Sequence, residues 1–158
     1  MELILWRHAD AGDPENDPEA DFERRLSERG RRQAARVARW LQSRLPERCL
    51  VLSSPAPRAR ETAEALGRKV RIDERLSPGA NGHHLLAVAG WPERNGSQVR
   101  HVVLVGHQPS LGEAVSLALA GIEQPWTVRK AMLVWLVARH EAERSTAYLK
   151  GAIGPDLV

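Results

Sequence analysis

His101-Val102-Val103-Leu104-Val105-Gly106-His107-Gln108-Pro109-Ser110 joins an unbroken aliphatic run to a polar turn, and the turn leads into a helical pattern from Leu111 to Ala120. The run has strand length, and its lack of polar alternation suits a strand buried on both faces, as in a parallel sheet. Gly106 and Pro109 punctuate the turn and suit the opening of a helix. A strand passing through a short turn into a helix is half of a βαβ unit, so related units are expected around it.

They are found in both directions. Upstream, Glu2-Leu3-Ile4-Leu5-Trp6 is a short strand followed by the loop Arg7-His8-Ala9-Asp10-Ala11-Gly12. Residues 13–25 are acidic, with little periodicity, and are expected to form a solvated loop. Ser27 fits a helix N-cap, with Leu26 as a staple, for a helix of about 18 residues ending before Pro46. Cys49 to Ser53 is a second strand, and Ser54-Pro55-Ala56-Pro57 turns it into a helix from Arg58 to Gly67. Val70 to Asp73 gives a third, shorter strand. The stretch Leu76 to Gly96 is rich in Pro, Gly and Asn, with a short helix at His84 to Ala89. Met132 to Val137 and Thr146 to Leu149 are expected to pair as a hairpin around the polar residues 139–145.

Strands alternating with helices predict an α/β fold: a mostly parallel central sheet, helices on both faces and right-handed crossovers. The 158 residues suit one domain spanning positions 1–158. Aromatic residues are only 4% of the chain, so aliphatic side chains must build the core. A single cysteine, Cys49, rules out a disulfide within the chain and suits a buried thiol in a reducing compartment. No stretch approaches the ~18 consecutive apolar residues of a membrane span, and no leader pattern opens the chain, so a cytoplasmic location is expected. The net charge of +3 favours anionic partners. Nucleic acid is not expected, because no lysine run, zinc-ligand spacing or aromatic–basic interleaving is present.

Three polar loops, at residues 7–12, 53–58 and 106–110, follow the carboxyl ends of strands, the edge at which open α/β sheets bind ligands. Together they would gather Arg7, His8, Ser53, Ser54, Arg58 and His107 into one crevice. Guanidinium forks match phosphate oxygens in pairs, and helix starts add backbone N–H groups, so phosphate is the natural guest. A neutral imidazole can attack phosphorus, while a second, protonated one neutralises the equatorial oxygens. The neighbouring arginines favour the neutral form of His8.

Arg7-His8-Ala9 resembles the Arg-His-Gly signature of the histidine phosphatase superfamily, the phosphoglycerate mutase-like proteins. Ser54-Pro55-Ala56-Pro57-Arg58-Ala59-Arg60-Glu61-Thr62 resembles that superfamily's Ser-Pro-x-x-Arg-(small)-x-x-Thr helix start, and Gly106-His107-Gln108-Pro109 its second histidine loop. The short length, Arg24-Arg25-Leu26-Ser27-Glu28-Arg29-Gly30 and Leu76-Ser77-Pro78 make the chain similar to SixA-type phosphohistidine phosphatases. The resemblance implies a three-layer α/β/α sandwich. It also implies a two-step reaction in which His8 takes the phosphoryl group and water releases it, with no metal or cofactor. Arg7, Arg58 and His107 would complete the pocket, with Arg24, Ser54 and Asp10 as further substrate-binding residues.

Two departures bear on the chemistry. Ala9 stands where the superfamily has Gly, which would strain the loop if that position needed positive φ. Many members carry an acid shortly after the third strand, where this chain has Leu76-Ser77-Pro78-Gly79. An imidazole leaving group needs less acid help than an alkoxide, which favours phosphohistidine, on a protein or peptide, as substrate. Asp10 and Glu74 are the alternative proton donors. The competing readings are a phosphatase of small-metabolite esters and a phosphoprotein-binding module with little turnover. A monomer is expected. Arg60 and Arg68 are read as solvent-facing, His83 and His84 as rim residues, His101 and His140 as structural, and Trp91, Trp126 and Trp135 as packing residues.

Overall fold

The computed structural model describes residues 1–93, 98–141 and 144–158. Its strands are β1 (Glu2–Arg7), β2 (Cys49–Ser53), β3 (Val70–Ile72), β4 (His101–Gly106), β5 (Leu133–Glu141) and β6 (Arg144–Ile153). The helices are α1 (Pro18–Glu23), α2 (Glu28–Gln42), α3 (Pro57–Glu64), α4 (Gly82–Ala89) and α5 (Ser110–Ala120), with a 3₁₀ turn at Glu74–Leu76. The six strands form one sheet in the order β3-β2-β4-β1-β5-β6. The β3–β2, β2–β4 and β4–β1 pairs are parallel, and β5 and β6 close the other edge antiparallel.

Both faces of the sheet are covered, and β1 shows how the sequence arranges it. Leu3, Ile4, Leu5 and Trp6 are fully buried. Successive side chains point to opposite faces. Ile4 and Trp6 therefore pack with Val37, Leu41, Ala59 and Ala63 of α2 and α3. Leu3 and Leu5 pack with Leu85, Leu111 and Val115 of α4 and α5. The result is a three-layer α/β/α sandwich whose middle strands are apolar on both sides.

Local differences from the sequence expectations have local causes. Residues 13–25 contain the short helix α1, started by the Asp17 side chain accepting from Ala20 N–H at 2.8 Å and by Pro18 in the first turn. Six residues without a buried side chain leave no periodic signal. α2 stops at Gln42, where the backbone tightens and both Arg44 and Leu45 N–H reach Leu41 O. α3 stops at Glu64, just before Gly67 at φ 62°. β5 and β6 run further than expected, since an edge hairpin accepts polar residues that a central strand does not. His140 thus lies in β5, paired with Ser145, while residues 142 and 143, where the hairpin turn was expected, lie outside the described residues. Residues 94–97, at the end of the Pro- and Gly-rich stretch, lie outside them too. Trp135 is buried as expected, but Trp126 is 46% exposed and does not pack in the core.

Candidate active site

Sheet register brings the two imidazoles together. Arg7 pairs with Gly106 at the ends of the parallel strands β1 and β4, so His8 and His107 leave the sheet side by side. Their ring centroids lie 5.2 Å apart at 52°. Ser53 pairs with Val105 on the other side of β4, which sets Ser54 beside His107, and the Ser54 Oγ to His107 Nε2 distance is 2.8 Å. Ser54 Oγ also accepts from Ala56 N–H at 3.2 Å, fixing the hydroxyl at the turn into α3.

Nδ1 of His8 lies 2.8 Å from Ala9 O. A carbonyl only accepts, so Nδ1 carries the proton and Nε2 holds the lone pair. No group among the described residues takes Nε2. Burial drives the pKa of His8 down to about 3, with Arg58, Arg7 and Arg24 acting in the same direction. Burial, then His8 and the arginines, takes His107 to about 2. Both rings are neutral in the protein's own field. A bound phosphoryl dianion would oppose the effect of the arginines on His107, so the protonated form expected of that ring belongs to a liganded state.

Arg58 is 3% exposed at the first turn of α3. Its Nη1 donates to Asp21 O at 2.7 Å and Phe22 O at 3.2 Å, and its Nη2 lies 3.6 Å from the Asp21 carboxylate. Arg7 Nη1 donates to Val128 O at 2.9 Å. In both side chains the Nε–H is buried and has no protein partner. An orphaned buried donor is costly, so the pair is a candidate cradle for an anion's oxygens. Arg24 donates from Nε to Asp21 Oδ1 at 2.9 Å and from Nη1 to Ala11 O at 3.0 Å, close enough to act on His8 but held by its neighbours. α1 lies over Arg58, and the two imidazoles are each only 5% exposed.

Residues 3–84, which carry the first histidine and the α3 arginine, match the sequence profile of the histidine phosphatase superfamily (branch 1). The chain belongs to the histidine phosphatase superfamily. An uncharacterized protein of Mycobacterium tuberculosis is 36% identical over 118 residues, 73% of this chain and 70% of that protein. A structure from Nakamurella multipartitia, described as a candidate phosphohistidine phosphatase SixA, superposes with a TM-score of 0.74 at 26% identity, covering 98% of this chain and 95% of that one. The vanadate-bound mycobacterial glucosyl-3-phosphoglycerate phosphatase superposes with a TM-score of 0.65 at 25% identity, covering 95% and 97%.

Against the superfamily pattern, several expected site residues take other places. Asp10, expected as a substrate ligand or proton donor, is engaged by neighbouring side chains. Its carboxylate binds Lys130 Nζ at 2.7 Å and Ser27 Oγ at 2.6 Å, and these bonds hold its pKa down to about 2, so it keeps no proton to donate. Glu74 is exposed at the 3₁₀ turn. The Ser54 hydroxyl is engaged with His107. Ala9 carries no strain: among the described residues Ala131 is the non-glycine position with positive φ, and the Ala9 methyl is buried with Leu26, Ala34 and Ala131. Its N–H donates to Thr62 Oγ1 at 3.0 Å, which in turn donates to Arg58 O at 2.7 Å and so ties the His8 loop to α3. Sequence reasoning missed the segment 128–131. Besides holding Arg7 and Asp10, it braces the catalytic loop through Ala131 N–H to His8 O at 3.1 Å and Trp6 Nε1–H to Ala131 O at 3.0 Å. Nothing in its local sequence marks it, and only the pairing of Lys130 with Asp10, 120 positions away, gives it meaning.

Proposed function

We propose that the protein hydrolyses phosphohistidine carried on a protein or peptide, through a phosphohistidine formed on His8. The observation that supports this best is the uncommitted Nε2 of a neutral His8 beside two buried, unpartnered guanidinium Nε–H groups. In the first step the Nε2 lone pair bonds to phosphorus as the bond to the substrate's imidazole nitrogen breaks. That ring leaves as neutral imidazole when its other nitrogen is protonated, which an unperturbed pKa of about 6.5 allows near neutral pH. In the second step water attacks phosphorus, its two protons leave on dihydrogen phosphate, and His8 returns to its Nδ1–H form. Arg7 and Arg58 hold the equatorial oxygens, and His107 donates to them once the dianion has raised its basicity.

The choice of phosphohistidine over esters rests on the acids. Asp10 is ionised and bonded away, and Asp21 is held below the usual carboxylate range by Glu15 N–H, Arg24 and Arg58. An alkoxide leaving group would find neither of these two carboxylates protonated, whereas imidazole needs no strong acid. A second reading, hydrolysis of a small-metabolite ester, is favoured by the likeness to glucosyl-3-phosphoglycerate phosphatase. The test is phosphate release from a phosphohistidine peptide against a panel of sugar and glycerate phosphates. The peptide is expected to be the better substrate by kcat/KM, and a preference for any ester would replace this reading by the second. Binding of the peptide without release would mark a binding module instead.

A further inference from the structure

Arg29, Arg32, Arg36 and Arg39 recur at steps of three and four along α2, so they share one exposed stripe of the helix. Arg129 and Lys130 approach the same space from the segment before β5, and the C-terminal residues 154–157 close its far side. The cleft so formed has a volume of about 1000 Å³. Among the described residues its acidic lining residues are Asp10, which is bonded to Lys130 and Ser27, and Asp156. Arg32 pairs with Glu28. Arg29, Arg36, Arg39 and Arg129 have no carboxylate within ion-pair distance among the described residues.

The stripe gains little from the fold beyond the Arg32–Glu28 pair and the place of Arg39 in the last turn, where the helix dipole favours a cation. Like charges at these helical spacings repel, each pair costing a few tenths of a kcal/mol, and no core contact offsets that. A polyanion laid along the stripe would remove the repulsion. From Arg29 to Arg39 the helix rises about 15 Å, the reach of four or five extended residues. The cleft is also lined by the apolar Ala35, Met132, Ala152 and Pro155. This mixture suits a peptide carrying both carboxylates and apolar side chains, where an inorganic polyphosphate has nothing to place on the apolar surface. Among the described residues no aromatic side chain lines the cleft, which leaves nucleic-acid bases without a stacking surface there. Arg7, which acts on both His8 and His107, also lines it. An occupant therefore lies beside the bowl, where the flank of a bound phosphohistidine would run.

We infer that this cleft docks an acidic segment flanking the phosphohistidine of a protein substrate, an inference that rests on the reaction proposed above. The test compares two peptides with the same phosphohistidine, one flanked by glutamate and the other by glutamine, on the wild type and on the triple variant Arg29→Gln, Arg36→Gln, Arg39→Gln. The wild type is expected to favour the acidic peptide about ten-fold in kcat/KM, through KM, with the advantage shrinking as salt rises. The triple variant should lose that advantage while keeping its rates on the glutamine peptide and on an aryl phosphate. Arg36→Gln alone should give part of the effect, which guards against misfolding of the triple variant. Fluorescence anisotropy of the unphosphorylated acidic peptide should show binding to the wild type and not to the triple variant. Equal kcat/KM for the two peptides, no effect of the triple variant, or arginine-dependent binding of polyphosphate or an oligonucleotide but not of the peptide would overturn the inference. If neither phosphohistidine peptide is hydrolysed, the proposed reaction fails by itself, and the anisotropy measurement still judges whether the cleft docks an acidic segment.

Discussion

At the level of single residues the bowl is an arrangement of committed and uncommitted nitrogens. His8 gives Nδ1 to its own loop and keeps Nε2, while Arg58 gives its Nη1 to α1 and keeps Nε. His8→Ala should cut turnover of an aryl phosphate at least about a thousand-fold and abolish acid-labile phosphate on the protein. Arg58→Lys keeps the charge but cannot both reach α1 and offer an Nε–H, so kcat/KM should fall about a hundred-fold with folding intact by circular dichroism. Burial makes a further prediction. With pKa values of about 3 and about 2, the ring C–H resonances of His8 and His107 should stay flat between pH 5 and 8 in the ligand-free protein. A midpoint near 6.5 for His8 would show that the ring is not held as described. His8 and His107 were legible in the sequence because each directly follows a recognisable strand, Arg7 because it ends one, and Arg58 because it opens the helix after one. The engagement of Asp10 was not legible for the opposite reason: its position in the loop is visible, but the Lys130 that pairs with it is remote.

Among the elements, the contact that matters most for the site is the N-terminus of α2 against the loop after His8. Ser27 N–H donates to Asp10 O at 3.0 Å, Ser27 Oγ bonds the Asp10 carboxylate, and Gly30 closes the joint. A Cβ on Gly30 would fall 1.9 Å from Asp10 O, a backbone atom that cannot swing aside. Gly30→Ala should therefore push α2 off the loop, costing about 1–3 kcal/mol in urea titration, and lower kcat by moving His8. Ser27→Ala, which removes the cap to Gly30 N–H as well as the Asp10 bond, should cost about 1 kcal/mol or more. Stability unchanged in both variants would mean that this joint does not set the loop. The Ser27 cap was readable from composition. The need for glycine at position 30 was not, because a helical glycine carries no mark of what crosses it until the partner backbone is placed.

For the molecule as a whole, the parallel core was legible because a strand buried on both faces reads as an unbroken apolar run. The edge was less so, since β5 and β6 may be polar without penalty and the sequence loses them where the core ends. The same burial that hides the centre of the sheet shapes the response of stability to pH. Unfolded, the two site histidines take up protons near their ordinary value of 6.5, whereas in the folded protein they stay neutral down to about 3 and about 2. Between those limits the unfolded state binds more protons, so unfolding becomes easier as pH falls. The contribution is whole above pH 6.5 and is progressively lost through the window down to the folded values. The urea midpoint should thus drop from pH 7.5 to pH 5, where most exposed carboxylates are still ionised. Replacing both rings in His8→Gln, His107→Gln should flatten that slope, while an equally steep drop in the double variant would assign it to other groups. Saturating phosphate should also flatten it in the wild type, because a dianion beside the two rings raises their folded pKa values and narrows the window from below.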